Sequence, residues 1–312
     1  MSTSNIANAA DHIVPLSING LDGRMLYAES ENKKHQREIL LVYGHHAMLE
    51  RWWGLVENLR EYGNVTMPDL PGFGGMNSFY TIGRKPTLDN YADYLAAFIK
   101  IKKKKRKFSI YAISFGFVVV TRMLQRYPEM AKNIDILVSA VGFVHHDDII
   151  YKPRTKKLFK FLTRLFGTRL FSLFIRYFCL NKFVLKNLYA KMPNSKRRML
   201  EVGPEEFDIT MDFEVKLWQA NDVRTHWITT CDFFKLDNCQ VRIDLPIIHI
   251  VSKEDHYFDN RLVEQHLKVV YKKYTSYTAH SKAHTPSVLA DKAAMAIWLP
   301  AGLKRSLAKR SK

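Results

Sequence analysis

Cysteine is scarce in this 312-residue chain, with Cys179, Cys231 and Cys239 the full complement. The number is odd and the spacing matches no metal-ligand motif, so a disulfide framework is not expected and a reducing compartment fits best. Long apolar runs are lacking too. The most apolar stretch, residues 165–180, is broken by Arg169 and Arg176 and is too short for a membrane span. Residues 1–10 are small and polar, without the basic start and apolar run of a secretory leader. No segment repeats. Acidic residues are missing altogether from 151–200, which holds fourteen Lys/Arg and ten Phe/Tyr.

That absence makes the formal charge of +18 a local feature. A second basic cluster runs over residues 100–107, and the chain ends in Lys309-Arg310-Ser311-Lys312. With 47% apolar residues, a chain of this length can bury a large core, and one domain carrying an insertion is expected.

Residues 12–18 and 24–29 read as strands flanking the hairpin signal Asn19-Gly20-Leu21-Asp22-Gly23. Residues 38–43 form a buried strand pattern ending at Gly44-His45-His46, and 51–62 place Trp52, Leu55, Val56 and Leu59 on one helical face. A strand at 65–68 leads into Asp69-Leu70-Pro71-Gly72-Phe73-Gly74. Then follow a helix at 89–103, a strand at 108–113, a helix at 115–127 and a strand at 134–141. Strand and helix alternate as in a mainly parallel sheet covered on both faces. The alternation stops near His145 and resumes with a strand at 245–251. A helix at 260–271, a strand at 274–278 and a final helix at 286–299 complete the reading. The boundaries are 1–146 and 243–312 for the two parts of the core and 147–242 for a helical insertion.

The segment Ala112-Ile113-Ser114-Phe115-Gly116 sits where strand turns to helix. A serine there is held on a tight turn with its hydroxyl exposed and the next N–H free to meet an oxyanion. A serine hydroxyl is a weak nucleophile until a histidine takes its proton and a carboxylate orients that histidine. Asp255 follows the strand at 245–251, and Glu254 and Asp259 are rival carboxylates nearby. His284, in a loop before the last helix, competes with His280.

Taken together, the hairpin, Tyr43-Gly44-His45, Asp69-Leu70-Pro71-Gly72-Phe73-Gly74, the serine turn, Asp255 and His284-Thr285-Pro286 resemble an α/β-hydrolase fold enzyme with a helical cap. The likeness runs from about residue 12 to 299. The resemblance implies Ser114 as nucleophile, His284 as base, Asp255 as orienting acid, and the N–H groups of His45 and Phe115 as oxyanion hole. It places His46, Phe143 and His145 at the substrate pocket and requires no metal and no organic cofactor. The chain departs from the usual pattern with Tyr43-Gly44 in place of His-Gly and with Ala112 in place of Gly. Serine argues against the branches that use an aspartate nucleophile.

Two readings stay open for the basic insertion. Its apolar face packs on the core and roofs the pocket with solvated charges outside, or the insertion also docks on anionic lipid. Nucleic-acid binding is not expected, since no recognition motif accompanies the charge. His145-His146-Asp147-Asp148 carries metal-ligand chemistry, but neighbouring residues rarely converge on one ion. The expectation is a cytoplasmic serine hydrolase of a lipid or acyl ester, placed peripherally on the inner membrane surface if the second reading of the basic insertion holds. Cleavage of another bond by the same residues, and an inactive binding protein of the same fold, are the alternatives.

Overall fold

The computed structural model describes residues 8–32, 37–103, 106–191, 204–281, 284 and 290–309. Eight strands form one sheet: β1 (Ile13–Ile18), β2 (Leu21–Ala28), β3 (Arg37–Val42), β4 (Gly63–Pro68), β5 (Phe108–Ile113), β6 (Ile134–Ala140), β7 (Ile243–Ser252) and β8 (Tyr271–Ala279). Their order across the sheet is β1-β2-β4-β3-β5-β6-β7-β8. β1 and β2 pair antiparallel, as do β2 and β4, and every pair from β4 onward is parallel.

The parallel half follows from its composition. All six residues of β5 are buried, as a central strand covered on both faces requires. Before β5 come α1 (Trp53–Leu59) and α2 (Leu88–Lys102); α3 (Phe115–Arg126) follows it. The Thr87 hydroxyl accepts from the Asn90 N–H and caps α2, as its residue type favours. On α3 the run Phe115 to Thr121 is buried, while Arg122 and Arg126 turn outward to Asp89 and Asp93 of α2.

The hairpin differs from the expected one. Ile18 pairs with Leu21, so the turn is Asn19-Gly20 alone, with both residues at positive φ (52° and 78°). Asn-Gly tolerates that geometry, and Leu21 starts β2 because its side chain is buried.

Between β6 and β7 the chain is helical: α4 (Pro153–Phe166), α5 (Arg169–Phe174), a π turn (Ile175–Cys179), α6 (Lys182–Lys191), α7 (Pro204–Ala220) and α8 (Val223–Phe233). Leu180, Leu185, Phe207, Met211 and Val223 close a small core of their own within it. After β7 come α9 (Asn260–Val270), β8, α10 (Lys292–Met295) and α11 (Ala301–Ala308). The helix expected at 286–299 is replaced, among the described residues, by α10 and a 3-10 turn to Trp298; residues 285–289 lie outside them. Pro300 stops that turn because a residue preceding proline avoids the helical region, and α11 restarts beyond it with Leu303 and Leu307 buried.

Of the apolar face of the insertion, only part packs inward. Phe159 and Phe166 of α4 pack on Trp227 of α8, but Leu158 and Phe161 of α4 and most large apolar residues of α5 and the π turn face outward. None of the α4 residues is fully buried.

Candidate active site

Parallel strands deliver their following loops to one edge, so the residues after β3, β5, β7 and β8 meet there. Ser114 stands between β5 and α3 with φ 47° and ψ −117°, a conformation that costs energy in any residue with a side chain. Close packing forces it. A Cβ on Gly116 would lie 2.3 Å from the Tyr43 carbonyl oxygen and 2.4 Å from that of Val42, so only glycine lets α3 start there. Ala112 is fully buried in β5 and fits without a clash that would demand glycine.

The Ser114 Oγ lies 3.0 Å from His284 Nε2, and His284 Nδ1 lies 2.6 Å from Asp255 Oδ2. A carboxylate can only accept, so Nδ1 carries the proton and Nε2 presents its lone pair to the serine hydroxyl. The other Asp255 oxygen accepts from the N–H groups of Tyr257 at 2.8 Å and Phe258 at 3.2 Å. Phe258 and Tyr257 flank the imidazole, with ring centroids 5.0 and 5.6 Å away, so the ring is held by packing as well as by its hydrogen bonds. The rival residues stand elsewhere: Asp259 caps α9 through the N–H groups of Arg261 and Leu262, and Glu254 and His280 are exposed.

The loop after β3 passes close to the serine. A Cβ on Gly44 would be 3.2 Å from the Ser114 Cβ and 3.9 Å from its Oγ. The His45 N–H has no backbone partner among the described residues, and Phe115 opens α3, where no carbonyl one turn earlier is available. The two rings meet edge to face at 5.8 Å. His45 Nε2 lies 2.8 Å from Thr229 Oγ, whose own hydroxyl donates to the Thr225 carbonyl, so the imidazole donates to it.

His46 takes φ 52° and turns its ring toward the insertion, where it lies against Trp218 (4.1 Å) and His226 (4.8 Å) and meets the Asn221 amide at 2.9 Å. Burial pushes the His45 and His46 imidazoles well below their usual range and His226 down to about 3, so all three are neutral at pH 7. Phe143 is buried against Phe258 and Phe233. His145 differs from its expected place. Its ring contacts are His146 and His266, and its Nδ1 accepts from the Asp147 N–H, so it serves the turn rather than the serine.

That turn holds the one group among the described residues whose ligand atoms could close on an ion, His145, His146 and Asp147, mutually within 4.8 Å. His146 Nδ1 already meets the Leu236 carbonyl at 3.0 Å, and Asp147 is exposed. Asp148 accepts the N–H groups of Val144 and His145 and lies 2.6 Å from His266 Nδ1. These contacts describe a cap built from polar side chains.

A fully buried carboxylate supports the loops around the site. Asp69 accepts from the Tyr43 hydroxyl (2.8 Å), Arg24 Nε (3.0 Å) and the Gly75 N–H (2.8 Å). Burial lifts its carboxyl to about 6, against the pull of Arg24 and these donors. A cavity of about 320 Å³ adjoins the serine turn. Its apolar wall is Leu88, Tyr91, Phe115, Val118, Phe233 and Leu236, with charged residues from α2, α3 and the segment after α8 completing the lining. Trp218, Asn221, His226, Thr229 and Phe233 carry no local signal, because their place depends on how the insertion folds back. Only the helical pattern of 204–233 is local.

No family model matches this sequence, and no curated protein is similar to it at the level of sequence. Solved structures share its architecture. A hydrolase from Pseudomonas aeruginosa PA01 superposes with a TM-score of 0.65 at 13% identity, covering 96% of this chain and 97% of that one. A thermophilic esterase from Thermogutta terrifontis gives 0.63 at 13% identity over 95% and 99%. A bacterial membrane phospholipase A gives 0.62 at 15% identity over 99% and 93%. The mostly parallel eight-stranded sheet flanked by helices, with these neighbours, is the α/β-hydrolase fold.

Proposed function

We propose that the protein is a serine hydrolase that cleaves a carboxylic ester, with an acyl group from a lipid as the preferred substrate. The observation that carries this reading is the continuous chain Ser114 Oγ–His284 Nε2–His284 Nδ1–Asp255 Oδ2, at 3.0 and 2.6 Å. Ser114 Oγ attacks the carbonyl carbon as its proton passes to His284 Nε2. The carbonyl oxygen takes up charge facing the N–H groups of His45 and Phe115. The C–O bond to the alcohol then breaks, and His284 returns the proton to the leaving oxygen. A water deprotonated by His284 attacks the acyl carbon, releasing the acid and restoring Ser114.

The cavity beside Phe115 supports an acyl substrate, since its volume is within the range of small-molecule sites and one wall is apolar. Residues 147–242 act as the cap in this reading, with His46 and Phe143 bordering the pocket. Peripheral contact with an anionic membrane through the basic insertion, on the cytoplasmic side, belongs to it too. Among the described residues no helix is long and apolar enough to cross a membrane.

A series of p-nitrophenyl esters of rising acyl length tests the reading. Hydrolysis is expected in the parent and lost in Ser114→Ala. Val118→Trp, which fills the cavity, shifts the preferred acyl length downward while short-chain turnover persists. Equal hydrolysis by Ser114→Ala would remove the assigned nucleophile, and an unchanged length profile in Val118→Trp would remove the cavity from the acyl path.

A further inference from the structure

Of the nineteen exposed large apolar side chains among the described residues, ten lie in the insertion between Leu158 and Leu188. Single exposed apolar side chains are common, but contiguous ones mark a contact site. Here Leu170, Phe174, Tyr177, Phe178 and Phe183 are exposed to 81, 53, 74, 67 and 78%. Leu170, Phe174, Tyr177 and Phe178 follow at i, i+4, i+7 and i+8 along α5 and the π turn, so they share one side, and the Phe174 and Phe178 rings stack at 5.2 Å. The opposite side of the same segment supplies Ser172 and Leu180, both buried. The segment is therefore held from within and leaves its aromatic side uncovered.

Exposed cations stand on the neighbouring helices of the insertion. Arg154, Lys157 and Arg164 share the exposed side of α4 with Leu158 and Phe161, and Arg169 opens α5. None of these four cations has an ion-pair or hydrogen-bond partner among the described residues. Lys182 and Lys186 pair with Asp212 and Asp208 of α7. No acidic residue occurs between 151 and 200, so α4, α5 and the π turn carry none of the mixed signs of a solvated helix face. Three further cations, Lys196, Arg197 and Arg198, lie outside the described residues.

We propose that the outer side of α4, α5, the π turn and α6 inserts into an anionic bilayer, its aromatic ridge among the acyl chains and its unpaired cations at the headgroups, so that substrate enters from lipid. This rests on the acyl-ester reading for the substrate and on the exposed surface alone for the docking. A soluble acidic protein would match the charge but not a ridge of four protruding apolar side chains. A neutral apolar partner would match the ridge but leave the cations unanswered. An anionic membrane answers both, since basic residues gain near its surface while amphipathic helices bury their apolar side at the headgroup boundary.

The test is flotation of the full-length chain with phosphatidylcholine vesicles, with and without phosphatidylglycerol, at low and high salt. Binding is expected to anionic vesicles, to weaken with salt, and to fall about tenfold or more in the triple variant Phe174→Ser, Tyr177→Ser, Phe178→Ser. The variant changes only exposed side chains, so its hydrolysis of a soluble short-chain ester should equal that of the parent. Equal binding to neutral and anionic vesicles, unchanged binding of the triple variant, or no binding by the parent at low salt would overturn the proposal. Light scattering that shows a dimer made monomeric by the triple variant would overturn it in favour of self-association. Failure of all ester hydrolysis with vesicle binding intact would count against the hydrolase reading alone.

Discussion

Tyr43→Phe removes one oxygen from the interior and should cost more than its size suggests. The hydroxyl is fully buried, donates to Asp69 Oδ1 at 2.8 Å and accepts the Leu70 N–H at 2.8 Å. Without it, a buried N–H loses its acceptor at a cost of about 1–3 kcal/mol, and a buried carboxylate loses one donor worth about 1.5–3 kcal/mol. The two losses share one atom and overlap, so about 2–4 kcal/mol in total is expected. Arg24 and the Gly75 N–H still hold Asp69 Oδ2, which keeps the loss from running higher. Urea unfolding measures it: the midpoint falls while the slope stays constant, because the surface exposed on unfolding is unchanged. Tyr43→His, the residue that the resembling enzymes carry here, can restore one of the two bonds and should fall between parent and Tyr43→Phe. A loss below about 0.5 kcal/mol for Tyr43→Phe would refute the view that the Asp69 network is built through this hydroxyl.

Asp255→Asn leaves the shape of the site but removes the acceptor that fixes the proton on His284 Nδ1, so kcat should fall by about 10³–10⁴-fold with KM little changed. Ester kinetics check it, and a fall under about tenfold would separate Asp255 from the catalytic unit. Stability should drop on acidification. His45, His46, His226 and His249 are neutral in the fold, with His226 at about 3 and His249 at about 4 through burial. Unfolded histidine titrates near 6.5, so below that pH the unfolded chain binds the extra protons and stability falls towards pH 4. Asp69 runs the other way. Its carboxyl, raised to about 6, takes up a proton in the fold first and offsets one histidine between pH 6 and 4. The buried imidazoles outweigh that one carboxyl, so stability falls with a net positive slope as pH drops below about 6.5, read as urea midpoints at pH about 7 and about 5. His226→Asn should lower that slope by about one proton; midpoints that do not move with pH would contradict the neutral cluster.

Much of this arrangement was legible because its causes are local or topological. The turn at Ser114 announces itself through Gly116, whose missing side chain is what the close approach of α3 to the Tyr43 carbonyl demands. Asp255 and His284 could be assigned to one edge because parallel strands all end there, whatever the side chains between them. The hairpin turn was misread by three residues, since Leu21, Asp22 and Gly23 resemble loop composition while Leu21 is buried as the first residue of β2. The last helix reads as one element ending at 299, whereas α10 stops at Met295, a 3-10 turn follows to Trp298, and α11 beyond Pro300 falls outside that reading. The insertion was the hardest part. Periodicity finds an apolar face on the insertion but not what lies opposite it, and the fold divides that face between Trp227 inside and solvent outside. The same non-local folding hid the contacts of His45 and His46 with Thr229, Trp218 and His226.

The central claim is that one hydroxyl in this chain is activated by the imidazole 3.0 Å away. Incubation of the full-length protein with a fluorophosphonate probe, followed by mass spectrometry of the labelled peptide, tests it most directly. The account predicts a single adduct on Ser114, absent from Ser114→Ala and strongly slowed in His284→Ala. An adduct on another residue, or labelling of Ser114→Ala at the parent's rate, would contradict it.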